Sequence, residues 1–514
     1  MALDKRTPVI IGVGEASERI DSPGYEALSP ADLSGRAARA ALDDAGASQP
    51  LGPHIDLIAA IRQFEVSTPN AKPPFGAADN FPRAIARRIG ADPARAVLEP
   101  TGGQGPQHLI NELSQAIATG EVGMALITGS EAISTVRHLT SQGETRDWSE
   151  AVGGQLEDRG YGVSGLLSRE LIIHGAVTPI SVYALFENAR RARLGQDRAA
   201  YALAMGQLFA PFTEVAAGNP HAMSREVYSA EALATVTASN RLTSDPFPRR
   251  LVARDQANQG AAVLVTSVER ARQLGVPEDR LIYLHGGADA KERTVVERAD
   301  LSRSPASVLA ARQALALASL EIGQIELFDF YSCFPIAVFN MLEGLGIEVD
   351  DPRPFTVTGG LPFFGGAGNN YSMHAIASMV RALRNRPSAY GFVGANGGFL
   401  SKYSVGIYST TPAAWTGFDS HGLQAEIDAW PSPLLAPQTS GEGTIETYTI
   451  DYAGKAPRGL ALGQLDVGGR FIAMTDPQDT AVVQAMIAQD PLGRRVVLDA
   501  NEQGQSIIRS FVAR

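Results

Sequence analysis

Apolar runs alternate with helix-like segments along most of this chain, and the alternation follows one plan twice. In the first half PVIIGVG (8–14) enters a glycine turn, and MALITG (124–129) and AAVLVTS (261–267) follow. In the second, LIYLHGG (281–287) opens, YGFVGA (390–395) follows, and SVGIYST (404–410) closes. Runs with apolar side chains at consecutive positions are buried on both faces, so helices must cover the sheet above and below. Leu109, Leu113 and Ile117 recur every fourth residue between GGQGP and Gly120, the pattern of an amphipathic helix with a glycine stop. The chain has 514 residues, too many for one core, and reads as an α/β protein of two similar halves, 1–275 and 276–411. Residues from about 135 to 250 are richer in charged helical sequence and read as an insertion covering one face of the first half.

Past residue 411 the character changes. A stretch rich in Pro, Gly and Ser, 412–441, reads as a surface connector. TIETYTIDY then alternates with period two, and Gly468 and Gly469 separate two strand-like runs as a hairpin turn. DTAVVQAMIA is a short helix candidate, and RRVVLDA reads as a last strand. Residues 442–514 suit a five-stranded barrel of the oligonucleotide/oligosaccharide-binding (OB) shape.

The net charge of -11 removes nucleic acid from the expected partners, because phosphate binding needs clustered Lys and Arg. No apolar run approaches the roughly 20 residues that span a bilayer, so no membrane insertion is expected. MALDKRTPVIIGVGE reads as a first strand and not a leader. The single cysteine, Cys333, allows neither an intrachain disulfide nor a thiolate cluster; a reducing cytoplasm fits it, and no metal is expected.

Four glycine-bearing segments together resemble the loops of the thiolase superfamily, in the family's order. LEPTGGQGPQHLINELSQAIATGEVGMALITGSEAIST (98–135) is similar to the segment in which a cysteine opens a buried helix that leads to a strand and a G-G-x-E turn. FDFYSCF (328–334) resembles the loop with an Asn or His followed by an acidic residue. TGGLPFFGGAGNNYSMHAIASM (358–379) resembles the stretch carrying the catalytic histidine, and GANGGFLSKYSVGIYS (394–409) the terminal loop bearing a second cysteine. The resemblance, closest to sterol carrier protein-type and acetyl-CoA acetyltransferase-like members, implies two thiolase-like halves layered α-β-α-β-α with mixed five-stranded sheets, and here an additional C-terminal β-barrel domain. It also implies an acyl-CoA thioester as partner, coenzyme A as part of the substrate with no covalently bound cofactor, and a homodimer or a monomer.

The residues depart from the family's chemistry. Gly102 falls at the nucleophile, Gly366 at the histidine, and Gly394 or Asn396 at the second cysteine. Without a thiolate and its base, acyl transfer of the thiolase type is lost. Cys333 aligns with a cysteine that is not the nucleophile in sterol carrier protein-type thiolases, and a buried packing role fits it. Tyr331 stands at the Asn/His position, where a phenol can serve as donor or proton shuttle, or simply cap a strand. Tyr371 and His374 are further candidates on a helix that starts after Asn369 or Asn370, with Met373, Ile376, Val380 and Leu383 facing inward. Asn396, Gly397 and Gly398, like the backbone at Gly102 and Gly366, offer amides for an oxyanion, although tight turns explain them equally. Arg249 and Arg250 form a basic pair for CoA phosphates or a solvated surface.

Three functions stay open. One is non-covalent, tyrosine-assisted carbon–carbon bond cleavage or formation on a CoA thioester, as in similar aldolases that work with a barrel partner. The others are acyl-CoA binding without catalysis, and an acetyl-CoA acetyltransferase acting through Cys333.

Overall fold

The computed structural model describes residues 3–436 and 439–512. Its strands run β1 (Pro8–Ser17), β2 (Leu57–Ile61), β3 (Arg95–Glu99), β4 (Met124–Ala132), β5 (Glu157–Asp158), β6 (Leu242–Ser244), β7 (Phe247–Pro248), β8 (Asn258–Ser267), β9 (Ile282–Lys291), β10 (Ile325–Phe330), β11 (Tyr390–Gly397) and β12 (Lys402–Ser409). They continue with β13 (Gly441–Asp451), β14 (Arg458–Leu465), β15 (Arg470–Thr475), β16 (Arg495–Ala500) and β17 (Ser506–Phe511).

The two halves meet in one mixed sheet of order β10-β11-β12-β9-β1-β8-β4-β2-β3-β5. The seam is short, since β1 pairs with β9 only at Val9↔Tyr283 and Ile10↔Ile282. Four strands come from the second half and six from the first, the sixth being the two-residue β5 on the edge of β3. The consecutive apolar residues of β1, β4 and β8 are buried throughout, as two-sided coverage requires.

Two central helices lie within these layers. The first, Gly105–Thr119, buries Leu109, Leu113 and Ile117 as its periodicity demands, and ends at Gly120 with φ 83°. It also buries Gln107, Asn111 and Ser114, so it has little solvated face. Asn111 Nδ2 donates to Asp289 Oδ1 (3.2 Å), and Gln107 Oε1 accepts from the Tyr408 hydroxyl (2.6 Å), which satisfies these buried groups. The second central helix, Tyr371–Arg384, begins at Asn370 and buries Met373, Ile376, Val380 and Leu383.

The insertion forms the helices Pro179–Leu194 and Arg198–Gly218, and the C-terminal unit docks on them. That unit is a closed five-stranded barrel, β14-β15-β17-β16-β13 with β13 returning to β14. The turn at Gly468 and Gly469 joins β14 to β15 as expected, but RRVVLDA is not the last strand: β17 follows it and pairs with both β16 and β15. The connector also holds a two-turn helix, His421–Asp428. Arg191, fully buried, joins barrel to insertion through a fork to Asp490 (2.5 and 3.0 Å), while Asn188 donates to Tyr448 O (2.9 Å). No helix among the described residues is long and apolar enough to cross a membrane.

His374, one position off the inner stripe, is fully buried and joins the second central helix to β1: its Nδ1 lies 2.6 Å from Glu15 Oε1, and Arg381 pairs with Glu15 Oε2. Burial alone would raise the Glu15 pKa, but the hydrogen bond and attraction of His374, then Arg381, bring it down to about 2. A carboxylate whose pKa falls on folding stabilises the fold above its ordinary pKa of 4.5, and the contribution disappears as pH drops towards 2. Glu15→Gln is therefore expected to lower stability at neutral pH and to flatten its pH dependence between 4.5 and 2, as read from urea unfolding at stepped pH.

Candidate functional site

The four glycine-bearing segments converge at the N-termini of the two central helices. Gly102 N donates to Asn369 Oδ1 (3.1 Å), and Ser372 Oγ donates to Gly103 O (2.5 Å). Tyr331 N donates to Gly394 O (3.0 Å), which ties the second segment to the fourth.

The space that catalytic side chains would take is filled by others. Gly102 has φ 153°, a conformation that L side chains rarely adopt, and a β-carbon there would overlap Gln104 Oε1. The Gln104 carboxamide also occupies the side-chain space of Gly397, and the Tyr331 hydroxyl that of Gly103. The Tyr403 hydroxyl covers Gly394 in the same way. Gly366 differs: a β-carbon there would lie 3.3 Å from Arg254 O and 3.4 Å from Leu361, so its surroundings are tight without being blocked.

Among the predicted residues, Gly102, Tyr331, Asn396 and Gly397 are brought together around Gln104. Tyr331 is buried, and burial, then Cys333, pushes its pKa above the usual phenol value. Its hydroxyl stays protonated at neutral pH and is a donor rather than a base. Tyr371 packs edge-to-face on Tyr331, with ring centroids 5.4 Å apart. Its own hydroxyl bonds Asp329 Oδ1 (3.1 Å) and Thr358 Oγ1 (2.5 Å). Asp329 is a hub: it also accepts from Thr356 Oγ1 and Val357 N, and burial pushes its pKa up to about 6. Tyr371 thus supports Tyr331 from behind.

Asn396 Nδ2 donates to the Tyr183 hydroxyl (2.7 Å) and lies 3.7 Å from Cys333 Sγ. Tyr183 also donates to Gly398 O (3.3 Å) and accepts from Leu400 N (3.1 Å), so it organises the fourth loop from the insertion. Burial pushes the Cys333 thiol up to about 12, which leaves almost no thiolate at neutral pH.

The amides of Gly102 and Gly366 differ from the expected free oxyanion donors, because Asn369 Oδ1 and Arg254 O (2.7 Å) already accept from them. Arg249 is exposed and Arg250 half-buried, its guanidinium 4.5 Å from the Tyr228 ring centroid. They lie outside the cluster, but the chain after them runs into it: Ala253 N donates to Cys333 O (2.9 Å) and Arg254 N to Leu361 O (3.1 Å).

Sequence reasoning placed Gln104 two residues past the nucleophile position and missed that it fills that position. It missed Tyr183, which lies in the insertion without a motif. It also missed Glu131, a buried carboxyl that burial pushes up to about 8, which accepts from Phe64 N (2.9 Å) and stands where a β-carbon on Gly368 would go. Native folds pair nearly all buried polar atoms. Yet Thr101 Oγ1, Gln104 Oε1, Asn396 Oδ1, Tyr403 OH and Ser404 Oγ have no partner among the described residues, and all lie on the first and fourth segments.

No acyl-enzyme is expected from this geometry, either on Cys333 or in a Gly102→Cys variant. Intact-mass measurement after incubation with acetyl-CoA checks both, and an adduct on Cys333 would contradict the packing role.

Residues 422–503 match the family model for the additional C-terminal domain of thiolase-like protein type 1. No curated protein matches the chain significantly. A monomeric SCP2-thiolase-like protein type 1 from Mycobacterium smegmatis is 45% identical, with TM-score 0.85 over 99% of this chain and 100% of that one. The Ltp2–ChsH2(DUF35) aldolase shares the fold at 20% identity, TM-score 0.58, over 79% and 98% of the two chains. The dimeric peroxisomal thiolase of Saccharomyces cerevisiae does so at 13% identity, TM-score 0.56, again over 79% and 98%. The converging loops, the fused barrel and these likenesses agree: the chain belongs to the thiolase superfamily, as an SCP2-thiolase-like protein type 1 with the additional C-terminal domain.

Proposed function

We propose that this protein binds a CoA thioester where the four loops meet and makes or breaks a carbon–carbon bond on it without acylating itself. The observation that carries the reading is the Tyr331 hydroxyl, held protonated against Gly103 beside the unpartnered carboxamide oxygens of Gln104 and Asn396. A donor fixed in place stabilises charge on a neighbouring oxygen more strongly than mobile solvent does.

In the bond-making direction the thioester loses its α-proton to solvent, and the resulting enolate carbon attacks the carbonyl carbon of an aldehyde or ketone. The carbonyl π-pair moves onto oxygen and takes the Tyr331 proton, giving a β-hydroxyacyl thioester; the phenolate then regains a proton. In the bond-breaking direction the β-hydroxyl gives its proton to solvent while the Tyr331 hydroxyl donates a hydrogen bond to that oxygen, the Cα–Cβ pair passes to the thioester as an enolate with release of the aldehyde or ketone, and the enolate carbon takes a proton from solvent. Tyr371, itself held by Asp329, packs on the Tyr331 ring, Asn396 and Tyr183 hold the fourth loop, and Arg249 and Arg250 meet the CoA phosphates at the outer end of the segment leading inward.

A second reading, thioester binding without turnover, is favoured by one specific observation: Gln104 occupies the thiol's place. Tyr331→Phe separates the two. The first reading expects turnover of a β-hydroxyacyl-CoA to fall by about 10²–10⁴-fold, the range for loss of a positioned proton donor, with affinity nearly unchanged. Unchanged turnover in Tyr331→Phe would sink the tyrosine role. Saturable binding with no turnover by the unmodified protein would establish the second reading.

A further inference from the structure

A cleft of about 500 Å³ opens beside the reaction centre, between the first central helix, the ends of β9 and β12, and the connector. Gln104 stands at its inner end, with Glu99, His108, Asp289, Lys402 and Ser404 on its walls and Phe418 to Gln424 of the connector on its outer side. The connector is built onto this place: Asp289 N donates to Ser420 Oγ (2.9 Å) and Lys291 N to Gln424 Oε1 (2.9 Å). The volume lies within the range of about 300–1,000 Å³ found for small-molecule sites.

The charges in the cleft are unequally matched. His108 Nδ1 lies 2.6 Å from Asp289 Oδ2, and its Nε2 is 3.5 Å from Glu112 and 4.0 Å from Glu99. Burial alone would lower its pKa, but these three carboxylates bring it up to about 9, so the imidazolium is already paired. Lys402 is not. Its ammonium donates to Thr101 O (3.2 Å) and Gly162 O (2.8 Å) and has no carboxylate partner among the described residues, and burial lowers its pKa. A half-buried cation with no directly paired carboxylate, opposed by Lys291 and only partly offset by Glu99, is costly, and an anion supplied by a ligand lowers that cost.

Two further groups define what the anion carries. Ser404 is 1% exposed, pairs directly with Asp289 across β12 and β9, and has no partner for its Oγ among the described residues. Gln104 Oε1, likewise unpartnered there, can only accept. Among the described residues no group of three or more His, Cys, Asp or Glu is placed to hold a metal ion.

We infer that this cleft is a binding site for a small hydroxycarboxylate, with the carboxylate on Lys402 and the hydroxyl shared between Ser404 Oγ and Gln104 Oε1. The site shares Gln104 with the proposed thioester centre, whereas Lys402 and Ser404 are not part of that reading, so hydroxycarboxylate binding is tested apart from thioester turnover. It joins the reaction centre through Gln104, so its occupancy is felt there.

Titration calorimetry of the full chain tests it with four matched probes: lactate, propionate, lactamide and inorganic phosphate. Lactate is expected to bind saturably, propionate more weakly, and lactamide and phosphate not measurably. Lys402→Met should weaken lactate binding by about tenfold or more, the value of one charged hydrogen bond, while Lys402→Arg keeps most of it. Gln104→Leu should abolish the preference for lactate over propionate. Equal binding of lactate and lactamide, tighter binding of phosphate, no saturable lactate binding, or lactate affinity unchanged in Lys402→Met each overturns the assignment. Ser404→Ala, a smaller change, carries the same test if the Lys402 variants unfold, with loss of lactate selectivity expected and its retention overturning the site.

Discussion

The carboxamide of Gln104, wedged over Gly102 and Gly397, is the contact around which the four converging loops are arranged. It lets the first and fourth loops approach each other with no side chain of their own. The backbone at Gly102 then adopts a φ of 153°, its amide turns to Asn369, and Tyr331 comes down on Gly103. A side chain at 102 meets an unfavourable φ, and the Gln104 carboxamide has to leave its place to admit it. The chemistry left to the centre is that of neutral donors and acceptors: a protonated phenol, two carboxamides and a serine.

Support for these loops comes from the insertion and the C-terminal barrel. Tyr183, on the insertion helix Pro179–Leu194, holds Asn396 and the fourth loop, and its ring stacks on Phe334 at 4.3 Å. The same helix carries Arg191 into the barrel interface. The barrel and the loop that carries Asn396 are thus fastened to one helix. Arg470 of β15 adds a second anchor, donating to Val296 O (3.2 Å) and Arg298 O (2.5 Å) in the second half. At the other flank, β5 covers the edge of β3, an edge that would otherwise offer unpaired backbone groups.

The layered fold was legible in the sequence because two-sided burial writes itself as consecutive apolar residues, as in β4 and β8. The loops were legible from their glycines, and the lost nucleophile from the identity of position 102 alone. What filled that position was not legible, since Gln104, Tyr331 and Tyr403 reach glycines from three different segments and only tertiary packing brings them there. Lys402 carries no motif, and Thr101 and Gly162 reach it only through tertiary packing. The helix His421–Asp428 escaped detection because it is two turns long and flanked by residues that favour loops. Strand β17 escaped because the run Ser506–Phe511 alternates only partly and lies after what already looked like a closing strand.

The central claim is that the four loops form a thioester site in which Tyr331 replaces covalent chemistry. A crystal structure with a thioether analogue of a β-hydroxyacyl-CoA tests it most directly. The β-hydroxyl oxygen of the analogue is expected within hydrogen-bond distance of the Tyr331 hydroxyl, with the Gln104 carboxamide moved or paired to the ligand. An analogue bound with its acyl end away from Tyr331, and Gln104 left in place over Gly102, would contradict it.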